Sequence, residues 1–180
     1  MSNVERIIAE IENLQDIFLQ CKSFFPALGD NLIGNTSFQT ADYYAFKGYN
    51  VFINTEAPIT REFIEKYAKI GKWLNENAII RLFGILHYHK QVGKKNPLLQ
   101  DLPGYKDVRF CCWIRNVITK TRLNYEPESE DNTKLREELI SHYGLRPEDF
   151  KEGIPTPVSQ VVEKIFKGCK TYLRAKYKNA

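Results

Sequence analysis

The 180-residue sequence lacks the cysteine spacings and the long apolar runs that mark several common protein classes. Its four cysteines contain no C-x-x-C pair, which argues against a zinc site and a secreted disulfide framework and favours buried free thiols. No uncharged apolar run of about eighteen residues occurs, and acids interrupt the N-terminal segment MSNVERIIAEIENL. These absences predict a cytoplasmic protein that has no membrane partner.

Motifs that bind phosphate through glycine are also missing, since neither G-x-x-x-x-G-K-[ST] nor G-x-G-x-x-G after a strand is present. The nucleophile motif G-x-S-x-G is absent as well. His87 and His89 stand two positions apart, and on a helix such side chains point about 200° apart, unlike a helical metal-binding pair. We therefore predict no cofactor and no metal site.

The composition is that of an ordinary globular protein, with 43% hydrophobic and 27% charged residues, and it predicts a single domain over residues 1–180. A net charge of +4 permits a nucleic-acid partner without requiring one. The C-terminal segment KIFKGCKTYLRAKYKNA contains six basic residues and no acid. A solvated helix face is the simpler interpretation of this segment, and a phosphate-binding strip is the alternative.

Apolar residues recur at three- and four-residue steps over most of the chain, which predicts an all-α helical bundle. Residues 35–58 show no clear period, and we interpret them as a short helix and an irregular connection rather than strands. The predicted helices run from Ser2 to about Phe24, from the N-cap Thr60 to about Val92, from Tyr105 to about Asn124, from a cap at Asn132 or Thr133 to Gly144, and onward from Pro157.

The segment Trp113–Ile118, WIRNVI, places an arginine and an asparagine inside an apolar helical run. Arginine with histidine can cleave RNA without metal, because histidine moves a proton at neutral pH and arginine stabilises the charge of the transition state. With the long preceding helices and the following acidic turn, the segment resembles the HEPN superfamily of helical nucleic-acid-associated domains. In that family, four to six residues separate the arginine from a histidine, and a polar residue often follows the arginine.

On this resemblance, Arg115 corresponds to the family arginine and Asn116 to its polar neighbour. The histidine position falls on Lys120, and longer spacings reach Thr121 and Arg122, so the usual proton carrier is missing. The resemblance thus implies a HEPN-like groove formed by Arg115, Asn116 and Lys120, with RNA bound by Arg115, Lys120 and Arg122 and with weak or no cleavage. It also implies a homodimer in a bacterial stress or defence system, beside a toxin or antitoxin partner.

Two other functions stay open. In the first, the chain is a helical protein-interaction module without a nucleic-acid role, and Arg115 pairs with Glu126, Glu128 or Asp131. In the second, it is an active metal-independent ribonuclease that uses Arg81 with His87, or His142 brought close by the fold. The simpler interpretations of these histidines are a packed core side chain for His87 and a favourable cation near a helix C-terminus for His142.

Overall fold

A computed structural model describes residues 2–25, 28–39, 51–120, 130–146 and 158–178, without the side chains of residues 120 and 130–132. Within these ranges the chain is mostly helical, which confirms the predicted all-α class. No helix in the described ranges combines the length and the apolar character needed to cross a bilayer. The helices are α1 (Asn3–Phe24), α2 (Arg61–Tyr88), α3 (Tyr105–Lys120), α4 (Glu130–Tyr143) and α5 (Val158–Lys178).

The predicted start of α2 is confirmed, and its predicted end near Val92 is wrong. Thr60 caps the helix, because its Oγ1 accepts a hydrogen bond of 3.1 Å from the Phe63 N–H. At the other end, Lys90 adopts a φ of 56°, and the Gln91 N–H donates to the Leu86 carbonyl at 2.8 Å. This left-handed Schellman termination stops the helix earlier than the apolar pattern indicates.

The other described helix boundaries agree with the sequence except at the start of α4. The predicted cap at Asn132 or Thr133 is wrong, because both positions lie inside α4 (Glu130–Tyr143). The predicted continuation of α3 beyond Lys120 lies outside the described residues.

A small sheet occurs where the sequence predicts no strand, and that prediction is wrong. Strands β1 (Ser37–Gln39) and β2 (Phe52–Asn54) pair antiparallel, with Phe38 opposite Ile53. Strands of three residues are too short for an alternating pattern to be recognised, which is why the sequence does not reveal them. The short helix predicted somewhere within residues 35–58 stays a prediction for residues 40–50, which lie outside the described residues.

The chain divides into two compact units, one formed by Glu12–Ala78 and the other by Met1–Ile11 with Ile79–Ala180. The predicted single domain stays a prediction. The core of the Glu12–Ala78 unit is formed by Phe38, Ile59 and Ile64, and partly buried hydrophobic residues pack against it. Tyr67 belongs to this packing, and its hydroxyl donates a hydrogen bond to the Phe24 carbonyl.

In the other unit, α3 packs on α5, and the contact includes one glycine just before α3 and one within α5. Gly104 has a φ of 82°, and a Cβ there would overlap the Gly168 carbonyl. Apolar residues from all five helices are buried in this unit, and they include Ile7, Ile11, Ile79, Leu82, Leu86, Val108, Phe110, Ile114, Leu139, Val161, Ile165 and Phe166. The four cysteines are free, and the prediction of buried thiols is confirmed for Cys111 and Cys169, whereas Cys21 and Cys112 are half-buried.

Candidate nucleic-acid interface

Arg115 and Asn116 lie on the flank of the buried face of α3. Ile114 is fully buried, and the two residues that follow it are half-buried. The Arg115 Nη1 donates a hydrogen bond of 3.0 Å to the Asn116 Oδ1. The Arg115 Cζ lies 4.6 Å from the centroid of the Phe83 ring on α2, within the range of a cation–π contact. The guanidinium is therefore positioned by an amide and an aromatic ring.

His87 contacts the same aromatic ring, because it follows Phe83 by one helical turn on α2. The two rings are stacked, with centroids 5.7 Å apart and an interplanar angle of 20°. The prediction of a packed core position for His87 is wrong, because His87 is exposed. Leu82 and Leu86 occupy the core side of this turn instead, which leaves positions 83 and 87 on the flank.

The structure thus joins Arg115 to His87 through Phe83, a combination that the sequence analysis did not predict. The sequence pattern pairs His87 with Arg81, yet residues six apart on a helix point about 120° apart around its axis. Arg81 is exposed on α2, and the described ring contact of His87 is with Phe83. The sequence does show an aromatic residue, Phe83, one helical turn before His87. It does not show that Arg115 of another helix contacts the same ring.

The structure describes only the backbone of Lys120 and no part of Arg122, the other two predicted RNA-binding residues. The backbone of Lys120 ends the described part of α3, one turn after Asn116, and its side chain lies outside the described residues. Arg122 also lies outside them. The roles assigned to Lys120 and Arg122 stay predictions.

The structure also does not describe the side chains of the acids predicted to pair with Arg115 in an interaction module. Glu126 and Glu128 lie outside the described residues, as does the side chain of Asp131. The described contacts of the Arg115 guanidinium include Asn116 and Phe83. The acid pairing therefore stays a prediction.

His142 belongs to a different cluster, formed between α4 and α3. Its Nε2 lies 3.4 Å from the Asp107 Oδ1, and the Tyr143 hydroxyl donates to the same oxygen at 2.6 Å. The His142 ring also contacts Phe110, with centroids 5.6 Å apart. Burial, together with the hydrogen bond to Asp107, raises the pKa of Tyr143 well above its ordinary value. His142 is thus paired with a carboxylate rather than placed beside Arg115.

His89 and Cys112 are two further residues whose side chains could act as a base or as a nucleophile. The His89 side chain is 5% exposed and lies 2.9 Å from the Glu10 Oε2, so its environment differs from that of exposed His87. Burial raises the pKa of Cys112 to about 12, so its thiol is protonated at neutral pH and is a poor nucleophile. Among the described residues, no group of three or more His, Cys, Asp and Glu side chains is arranged to hold a metal ion.

Comparison of the chain with protein-family models, with curated proteins and with solved structures finds no match. The resemblance of Trp113–Ile118 to the HEPN superfamily accordingly stays a prediction. The candidate interface consists of Arg115, Asn116, Phe83 and His87. These residues supply one cation, one amide and two aromatic rings.

Proposed function

We propose that the chain is a HEPN-like helical domain that binds RNA and cleaves it weakly or not at all. The observation that supports this proposal is the contact of both Arg115 and His87 with the Phe83 ring. Arginine binds phosphate through charge-assisted hydrogen bonds, and exposed rings stack on bases. The group therefore offers a phosphate contact and a base contact side by side.

The expected weakness of cleavage follows from Lys120, which stands where the resembled family has its histidine. An ordinary lysine is protonated near pH 7, so it neutralises phosphate but does not accept a proton. Lys120 and Arg122 would extend the phosphate-binding surface beyond Arg115. In this proposal the interface retains affinity for RNA and lacks the proton transfer that hydrolysis requires.

A metal-independent ribonuclease is the second candidate, because His87, which the sequence paired with Arg81, contacts the same ring as Arg115. His87 is exposed and shares the Phe83 ring with Arg115. In this function His87 takes the proton from the 2′-hydroxyl as its oxygen bonds to the phosphorus, and Arg115 stabilises the charge that develops on the phosphate oxygens. The bond from the phosphorus to the 5′-oxygen breaks, and the departing 5′-oxygen takes a proton from water. Loss of cleavage in His87→Ala would distinguish this candidate from the first.

The biological context forms part of the same proposal and rests on the resemblance alone. We propose a homodimer, because the resembled family usually forms its groove where two arginine-bearing helices meet. We also propose that the chain has a protein partner, a toxin or an antitoxin, in a bacterial defence system. Sedimentation of the purified chain at twice 21.0 kDa would support the homodimer, and sedimentation at 21.0 kDa would contradict it.

The test of the proposed function is binding and cleavage of a mixed, fluorescently labelled RNA pool in EDTA. We expect the natural protein to bind, Arg115→Ala to bind more weakly, and Lys120→His to gain cleavage activity. Arg115→Lys keeps the charge but loses the planar contact with Phe83, and we expect intermediate affinity. Arg61→Ala is the matched control, because Arg61 is exposed and pairs with Asp30 in the other unit.

The outcomes separate the three functions. Cleavage by the natural protein that is lost in both Arg115→Ala and His87→Ala would replace the weakly active module by the ribonuclease. Absence of RNA binding at low salt would contradict both nucleic-acid functions and would favour the protein-interaction module. Equal weakening by Arg115→Ala and by Arg61→Ala would show that binding depends on net charge and not on this interface.

A further inference from the structure

The C-terminal part of α2 and the start of the loop that follows it contain no acidic residue. None occurs between Glu76 and Asp101, whereas the loop that follows α2 contains Lys90, Lys94 and Lys95. All three lysines are exposed. A stretch of one charge sign creates a positive potential that attracts a polyanion. Phe83 and His87 of the candidate interface belong to this same acid-free segment.

The lysine loop, defined as residues 90–95, is anchored by its central residues. Gln91 and Val92 are each 3% exposed. The Gln91 Nε2 donates to the His89 carbonyl at 2.7 Å and to the Tyr177 hydroxyl at 2.9 Å. Its Oε1 accepts a hydrogen bond of 3.0 Å from the Lys176 ammonium. This buried amide attaches the loop to α5, while the lysines on both sides of it remain exposed.

The lysine loop passes directly beside the ring of His87. Gly93 has a φ of 129°, and a Cβ at this position would lie 3.8 Å from the His87 Cδ2. The Cα of Lys94 is about 3.8 Å from that of Gly93, because one trans peptide joins them. The lysine side chains therefore begin within one residue of the exposed histidine.

The rings at the end of α2 favour an unpaired strand over a duplex. His87 is exposed, and the neighbouring Tyr88 is 78% exposed. A ring can stack on a base only when that base is unpaired and unstacked, whereas an A-form duplex presents phosphates, 2′-hydroxyls and base edges. Exposed rings beside lysines are the combination by which proteins hold single strands.

We propose that the lysine loop binds the phosphates of single-stranded RNA while an unpaired base stacks on His87. This inference rests on the proposed function and specifies its substrate as single-stranded. Lys94 and Lys95 bind the phosphates that flank the stacked base. Arg115, which contacts Phe83 as His87 does, binds a further phosphate.

The experiment measures the dissociation constant of the full chain for a labelled single strand of about 16 nucleotides over a range of salt concentrations. We compare the natural protein with the double variant Lys94→Gln/Lys95→Gln. The slope of log K against log salt is negative, and each lost phosphate contact on a single strand makes it less negative by about 0.7, so the expected change is about 1.4. A duplex of the same length should bind more weakly to the natural protein, and His87→Ala should lose much of this preference.

The control variant is Lys66→Gln/Lys69→Gln, which removes the same charge from exposed positions on α2 in the other unit. It should retain the slope of the natural protein. An unchanged slope and affinity in Lys94→Gln/Lys95→Gln, with weaker binding in Arg115→Ala, would overturn this inference and leave the proposed function standing. Absence of RNA binding by the natural protein would instead overturn the proposed function itself. Equal affinity of the natural protein for single strand and duplex would also overturn the single-strand specificity.

Discussion

At the level of single residues, Lys90 of the lysine loop has an unusual backbone conformation. Lys90 adopts a φ of 56°, a backbone conformation that glycine adopts more readily than lysine. Its N–H donates to the His87 carbonyl at 3.0 Å, so the conformation belongs to the termination of α2. Lysine at this position costs stability and adds a positive charge to the lysine loop.

Lys90→Gly should therefore stabilise the fold and weaken RNA binding. Relief of the left-handed conformation is worth about 1 kcal/mol in the free energy of unfolding. For a chain of this size this corresponds to a rise in Tm of about 2–4 °C. Thermal unfolding followed by circular dichroism and binding to the labelled single strand measure the two effects. A variant that becomes more stable and binds RNA as tightly as before would show that Lys90 contributes nothing to the interface.

Glu76 is a buried acid whose ionisation should make stability depend on pH. Its side chain is 8% exposed, and Lys72 lies 3.9 Å away. Burial raises the pKa of Glu76 above its ordinary value of 4.5, while the positive charge of Lys72 opposes this shift. The folded state therefore binds the proton more tightly than the unfolded state. Stability falls as the pH rises from the ordinary pKa of 4.5 through the raised pKa of the folded state.

Glu76→Gln should remove this loss of stability. Below the ordinary pKa of 4.5 both states are protonated, so the variant and the natural protein should have similar Tm values. At about pH 7 the variant should have the higher Tm, because it contains no buried charge. Melting curves at the two pH values provide the measurement. A Tm at neutral pH that is lower in Glu76→Gln than in the natural protein would mean that the ion pair with Lys72 outweighs the burial.

At the scale of the helical elements, the contact of α3 with α5 depends on a glycine that allows close approach. Gly168 is buried in α5, and a Cβ at this position would overlap the carboxylate of Asp107 on α3. Asp107 in turn accepts the hydrogen bond from Tyr143 of α4. A side chain at position 168 would therefore disturb three helices at once.

Gly168→Ala should destabilise the fold by about 1–3 kcal/mol, the usual cost of added volume in a packed core. Gly84→Ala is the matched control, because Gly84 lies within α2 and a Cβ there would meet no atom within 4 Å. On helix propensity, Gly84→Ala should stabilise by about 0.5–1 kcal/mol. Urea denaturation followed by circular dichroism measures both values. Similar changes of the same sign in the two variants would contradict the role assigned to Gly168.

At the scale of the whole molecule, α1 and α2 each contribute residues to both compact units. The boundaries between the units fall within these helices, after Ile11 and after Ala78. Because helix formation is cooperative, a helix that runs through both units should couple their unfolding. The single-domain prediction therefore implies one unfolding transition.

The two tryptophans make this prediction measurable, because Trp73 belongs to one unit and Trp113 to the other. Labelling with 5-fluorotryptophan and following both ¹⁹F resonances through a urea titration reports each unit separately. Coincident midpoints are expected for a two-state domain. Two separate midpoints would contradict the prediction of a single domain over residues 1–180.

The helices and their buried faces could be predicted from the sequence, because both depend on residues three or four positions apart. The N-cap at Thr60 is confirmed for the same reason, since a capping hydrogen bond joins residues within one turn. The strands β1 and β2 were missed because each has three residues and finds its partner at a distance along the chain.

The side chains that meet at the candidate interface depend on how the helices pack. The HEPN-like motif associates Arg115 with Lys120 on one helix, whereas the packing of α3 beside α2 brings Arg115 to Phe83 and thereby to His87. The packing of α4 beside α3 places His142 against Asp107. Helical periodicity defines the direction of each side chain relative to its own axis, but the arrangement of the axes decides which side chains become neighbours.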